Sequence, residues 1–350
     1  MKVLPDILRS RTAGISLAIG ILLFASVIAW QGIGDVAKVL GRAGWGLFVI
    51  ALFHLPPLWA DAMGWRSLIM AAQRPSWRAM LRYRWIGESI NDLLPVLQMG
   101  GNMVKAWLLV GRGVQVGRAG ASVVIDITLI VLTQIIFTIF GLCLAASFLG
   151  SRGAIPVVLA GAGVIAILLS GFYVAQRRGL FGFVVAISRR FLNSPEWASV
   201  SKGAAMIDAD VMLLYKERNT LMISGCWHMA AWLLGVFEVW FALGILGHPV
   251  DIGTAFLFES LGQAIRTGAF AVPGGLGIQE GGYVLVGSVL GIDPAVALAL
   301  SLARRVRELL FGLPGLVVWQ GSAIGRVFRK SPDEKTRPLA DKDSAKSDEP

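Results

Sequence analysis

The chain has 350 residues, of which 55% are hydrophobic and 15% charged, with a formal net charge of +10. Soluble domains carry about 25% charged residues, so the balance excludes an ordinary water-soluble domain and points to a polytopic helical membrane protein. In such a chain the basic excess reads as Lys and Arg held on the cytoplasmic side, and nucleic acid is not an expected partner. Cys143 and Cys226 lie in apolar runs and read as small buried residues, with no disulfide or metal framework.

Taken in order, a basic start (Lys2, Arg9, Arg11) precedes a first span at Thr12–Gln31. Its apolar run is long for a signal peptide and lacks a good small-residue cleavage site, so it reads as uncleaved. A second span covers Trp45–Met63, with a kink expected at Pro56-Pro57 and with Trp45, Trp59 and Trp65 suited to the interfacial belts. Arg66, Arg74, Arg78, Arg82 and Arg84 follow with no acid among them, which predicts a cytoplasmic loop.

The next apolar stretch, Trp85–Leu94, is short, stops at Pro95, meets Gly100 and Gly101 and resumes as Asn102–Val110. Neither arm reaches the ~20 residues of a full span, so the segment 85–112 reads as a hairpin that enters and leaves on the cytoplasmic side. Spans at Ala119–Leu149 and Ala154–Ala175 come next. Residues 176–218 then hold seven Lys or Arg among apolar residues, the pattern of an amphipathic segment lying on the membrane. A fifth span covers Asn219–Leu246, and the Lys/Arg-free link Gly247–Gly253 faces outward.

The segment 254–291 is a second interrupted helix. Its two arms, Thr254–Val272 and Ile278–Leu290, flank a break carrying Pro273, Gly274, Gly275 and Gly277. Glycine and proline break helices, and bare backbone at membrane depth needs protein or a wet cavity around it. After a turn at Asp293-Pro294, a last helix runs to Gln320. The tail 326–350 is charged and is expected to be disordered.

The two broken segments echo one another. Glu88-Ser89-Ile90 recurs as Glu259-Ser260-Leu261, and Gln98-Met99-Gly100-Gly101 recurs as Gln279-Glu280-Gly281-Gly282. One lies after an inward-running span and the other after an outward-running one. The expected fold is therefore all-α, in a single membrane domain over residues 1–325. It has about six full transmembrane helices plus two re-entrant hairpins in an inverted repeat, the arrangement that marks midplane binding sites in secondary transporters.

Charged and polar groups gather around the second break: Glu259, Gln263, Arg266, Glu280, Arg304, Arg305, Arg307 and Glu308. Each Arg, Lys or Asp at a helix centre costs about 2.5–3.5 kcal/mol on insertion scales, so these groups need partners, water or a polar substrate. Glu259 and Arg266 can pair across two turns, and Arg304 and Glu308 at i, i+4. Glu280 opens a helix, either as its capping carboxylate or as the receiver of a cationic group. The guanidinium cluster suits phosphate or carboxylate. In the first broken segment Glu88, Asn91, Asp92 and Pro95 share one helix face, and Asp126 is a candidate partner for Lys105 or for an Arg of the last helix. His54 stands alone, and His228 and Glu238 are too far apart along one helix for a shared metal site. No metal or cofactor is expected.

No H-E-x-x-H, G-x-S-x-G, P-loop or D-D-x-x-D run is present, so an enzyme is not expected. The motif P-G-G-L-G-x-x-E at Pro273–Glu280, followed by a helix with the central pair Arg304-Arg305, resembles the membrane region of lysyl-phosphatidylglycerol synthase, a flippase-like integral membrane family. Arg84–Ser89, Gly235–Trp240 and Glu259–Gly282 are more similar still to the hopanoid-biosynthesis-associated HpnL membrane proteins. The resemblance implies a multi-pass bacterial inner-membrane protein with both termini cytoplasmic. It implies translocation of a membrane lipid, a hopanoid or a phospholipid, with hopanoid-processing enzymes as partners. A non-transporting scaffold for those enzymes is the alternative. Gly101-Asn102 stands where the wider family has Gly-Glu, so no carboxylate role carries to that position. The synthase's aminoacyl-transferase domain is absent, and lipid lysinylation is not expected.

Overall fold

Every regular element among the described residues of the computed structural model is helical. The described residues are 43–94, 99–149, 197–268 and 277–329, with Gly41 and Val174. The first and, but for Val174, the fourth expected spans, the first part of the amphipathic segment, Pro95, Pro273, Gly274, Gly275 and the tail from Lys330 lie outside them. The helices are α1 Gly46–Leu52, α2 Leu55–Ser67, α3 Trp77–Leu93, α4 Gly100–Val110, α5 Val116–Leu149, α6 Trp197–Leu214, α7 Arg218–Ile245, α8 Ile252–Gly268, α9 Ile278–Val289 and α10 Pro294–Arg329. Three stretches are long and apolar enough to cross a membrane: Gly46–Ser67, Val116–Ala145 and Arg218–Ile245.

Local chemistry sets the boundaries. Pro56 and Pro57 occupy the first turn of α2, where a missing N–H costs nothing, so the expected kink is a break between α1 and α2 at Phe53-His54. The Ser76 hydroxyl accepts from the Ala79 amide at 3.4 Å and starts α3. That start lies eight residues before Trp85, so the first arm is a 17-residue helix rather than a short one. Arg78, Arg82 and Arg84, expected in a loop, ride on it. Asp251 receives the Thr254 amide at 3.0 Å and opens α8, and Asp293 with Pro294 opens α10. Gly291 ends α9 at φ +72°, a conformation that L side chains rarely adopt. α10 continues past Gln320 to Arg329, through Pro314.

Packing assembles two apolar cores. One joins Trp65, Met80, Ile86, Ile90, Leu109, Ile125 and Val211, from α2 to α6. The other joins Ile50, Phe137, Val239, Leu243, Phe258, Tyr283 and Leu300, largely from α7 to α10. α6 packs along α5 and buries Ala204, Val211 and Leu214, so this part of the amphipathic segment covers protein. Trp65 is not interfacial: it is fully buried, and its indole N–H reaches the Ser122 hydroxyl at 3.2 Å. Cys143 and Cys226 are exposed, because their helices turn those faces away from both cores.

The two broken segments are each a pair of helices in contact, α3 with α4 and α8 with α9. A Cβ on Gly101 would stand 1.9 Å from the Gly87 carbonyl oxygen, and one on Gly282 would stand 2.5 Å from Ile265. The second glycine of each echoed pair is thus where its helix meets the preceding one. The echoed serines also correspond. Ser89 fits against Gly315 of α10, and Ser260 against Gly141 of α5.

Candidate functional site

Buried charge collects between the two helix pairs. α3 presents Arg84, Glu88 and Asp92 one turn apart on one face, and this face links two ionic groups.

The first group surrounds Asp126 of α5, which is fully buried. Its Oδ2 accepts from Lys105 Nζ of α4 at 2.8 Å and from Arg84 Nη1 at 3.1 Å. Arg84 Nη2 also donates to Asp61 of α2 at 2.9 Å. His228 of α7 lies with Nδ1 2.6 Å from Asp61 Oδ1 and Nε2 3.2 Å from Asp126 Oδ1. Lys105 Nζ lies 4.9 Å from the centre of the Trp65 ring. The expected partnership of Asp126 with Lys105 is present. The last helix supplies no partner, because Arg84 of α3 takes that place.

The second group lies along α10. Arg304 is bonded to Glu259 of α8 and to the Tyr283 hydroxyl of α9, the latter at 2.6 Å. Arg307 is bonded to Glu238 of α7. Arg305 donates to Glu280 at 3.0 Å and to Glu308 at 2.9 Å. Arg266 of α8 reaches Glu308 at 3.0 Å and Asp92 of α3 at 3.3 Å. His54, before α2, sits 3.5 Å from Glu238 and 3.7 Å from Glu88.

Two expected pairings are replaced. Seven residues along a helix is about 10 Å, too far for Glu259 and Arg266, so each crosses to another helix. Glu308 pairs with Arg305 at i, i+3, while Arg304 faces Glu259. Glu280 fills both roles left open for it. Its Oε2 accepts from the Gly277 amide at 2.6 Å, closing the first turn of α9, while its Oε1 faces Arg305. Gly277 makes this possible at φ +79°. Gln263 donates to Glu259 at 2.9 Å, and its carbonyl accepts from Gln134 of α5. Asn91 holds the Gly101 amide at 2.8 Å and so ties Gly100-Gly101 to α3.

The Arg cluster is therefore not a bare anion site: each buried guanidinium already faces a carboxylate. His54 does not stand alone. Sequence reasoning passed over Arg84, Asp61, His228 and Glu238 as members of the site. Ionisable residues inside apolar spans were the available signal. The set offers alternating fixed charges in a low-dielectric interior, and among the described residues no group of three ligands could hold a metal.

Comparison with known proteins places this geometry in a family. A UPF0104 membrane protein of Methanothermobacter thermautotrophicus is 23% identical over 334 residues, 89% of this chain and 93% of that protein. A UPF0104 membrane protein of Pyrococcus horikoshii is 20% identical over 317 residues, 85% of this chain and 93% of its own length. No solved structure matches. The family model for the lysylphosphatidylglycerol synthase TM region matches residues 17–315, more than four-fifths of the chain, and the protein belongs to that family of integral membrane proteins.

Proposed function

We propose that the protein is a lipid translocase of the bacterial inner membrane, multi-pass with both termini cytoplasmic, which moves a polar head group between leaflets and leaves the lipid chemically unchanged. The observation that carries this reading is the buried ionic network between two interrupted helix pairs. Charge at membrane depth is a functional-site hypothesis by default, and paired broken helices are the usual frame of a midplane site. In this reading α3/α4 and α8/α9 are re-entrant hairpins of an inverted repeat, within a set of six full spans. A head group enters by exchanging places with carboxylate or guanidinium partners, so each buried pair is a latch. The lipid proposed is a hopanoid, on the resemblance read from the sequence at Arg84–Ser89, Gly235–Trp240 and Glu259–Gly282 alone.

The test is movement of labelled lipid across the bilayer of proteoliposomes that contain only this protein. A hopanoid analogue and a phospholipid are compared. Glu280→Gln removes charge from the Arg305 latch while keeping a side chain able to cap α9. It is expected to slow the movement by about tenfold, some 1.4 kcal/mol on the barrier. Equal rates with and without protein would discard the reading. The second reading is a scaffold for hopanoid-processing enzymes, favoured by the completeness of the internal pairing. Buried ion pairs can serve packing specificity alone. A scaffold moves no lipid and co-purifies with an enzyme.

A further inference from the structure

Two histidines in this network, His228 buried and His54 partly exposed, each lie between two carboxylates. His228 has Asp61 at Nδ1 and Asp126 at Nε2, at 2.6 and 3.2 Å. His54 has Glu238 at Nδ1 and Glu88 at Nε2, at 3.5 and 3.7 Å. A neutral imidazole has a single N–H, whereas an imidazolium offers a donor to both sides. His228 Nε2 and Asp126 Oδ1 face each other without an aligned hydrogen bond, although both are buried. A proton on that nitrogen makes the 3.2 Å contact an attraction between opposite charges, whereas a bare lone pair there faces a carboxylate oxygen.

The surrounding charges point the same way. Facing His228 are Asp61 of α2 and Asp126 of α5, which also bind Arg84 of α3 and, at Asp126, Lys105 of α4. Facing His54 are Glu88 of α3 and Glu238 of α7, the latter shared with Arg307 of α10. Among the described residues the network holds eight carboxylates, Asp61, Glu88, Asp92, Asp126, Glu238, Glu259, Glu280 and Glu308. Against them stand six fixed cations, Arg84, Lys105, Arg266, Arg304, Arg305 and Arg307. Two protons balance the set, and two imidazoles are placed to carry them.

We infer that His228 and His54 are proton-binding stations, and that proton uptake and release there is coupled to lipid movement. The coupling rests on the translocase reading; the proton sites do not. The step is a simple transfer. A proton from water on one side adds to the free ring nitrogen, raises the network charge by one, and later returns to water on the other side. No bond of the lipid changes. When protonated, His228 ties α2 and α5 together through α7. When the proton leaves, the Nε2 lone pair faces Asp126 Oδ1, and the repulsion loosens α7 from α5.

The chain has three histidines, so nitrogen NMR of histidine-labelled protein in lipid nanodiscs is readily assigned with His54→Gln and His228→Gln. The partly exposed His248, in the link after α7, is the internal reference. Expected are imidazolium signals for His228 and His54 near pH 7, the range in which histidine changes charge. Neutral rings at both would overturn the stations. The second measurement is lipid movement in proteoliposomes under imposed pH gradients of either direction. Expected is a rate that differs about threefold or more between the two gradient directions, within the roughly tenfold per proton that one pH unit can supply, and a loss of that dependence in His228→Gln. A rate indifferent to the gradient removes the coupling and leaves the translocase standing. Absence of lipid movement removes both, while the NMR result still decides the proton sites. If His228→Gln fails to fold, His54→Gln and the wild-type titration decide.

Discussion

Asp126 shows why single residues in this network carry large effects. One fully buried carboxylate serves Lys105, Arg84 and His228. Removing its charge takes the carboxylate from buried Lys105, while Arg84 and His228 keep Asp61, and breaking a buried pair costs about 3–5 kcal/mol. Asp126→Asn is expected to lower thermal stability in detergent markedly, as read by size-exclusion recovery after heating. Asp251→Ala is the comparison. Asp251 is exposed and only caps α8, so its loss costs about 1 kcal/mol. Equal losses for the two variants would mean that the Asp126 cluster is solvated.

At the scale of elements, the α3/α4 and α8/α9 pairs are built alike, and their glycines differ in what they tolerate. Gly101 meets backbone, the Gly87 carbonyl, which cannot retreat. Gly282 meets the Ile265 side chain, which can change rotamer. Gly101→Ala should therefore separate α3 from α4 and cost at the upper end of the ~1–3 kcal/mol typical of overpacking, and Gly282→Ala less. Thermal unfolding of the two variants in the same detergent checks the order, and a reversed order would show that the pairs do not pack through these glycines. The serine contacts repeat the theme, with Ser89 against Gly315 and Ser260 against Gly141. Small residues let helices approach closely where no hydrophobic effect separates lipid from protein.

For the molecule as a whole, the question is what holds the two cores together. Arg266 of α8 and Asp92 of α3 form a bridge between them at 3.3 Å, shared with Glu308. If this bridge couples the halves, Asp92→Asn and Arg266→Gln together should destabilise less than the sum of the single changes. A coupling of about 0.5–3 kcal/mol is expected for residues in one ionic network. A double-mutant cycle of thermal stability measures it, and strict additivity would show that this bridge does not couple the halves.

The amino-acid pattern by itself determined the membrane class, the helical fold and the described spans to within a few residues. It also located most of the charged set around Glu259, Glu280 and the α10 arginines. These are local matters, fixed by hydropathy over a window, by turn residues and by charge within an apolar run. Pairing was different. Arg84 read as a loop cation because its partners, Asp61 and Asp126, lie 23 and 42 positions away. Glu259 found Arg304 at a separation of 45, and His54 joined Glu88 and Glu238. A buried charge is answered by whatever opposite charge packing brings within about 4 Å, and only the tertiary arrangement of the helices decided which one that was.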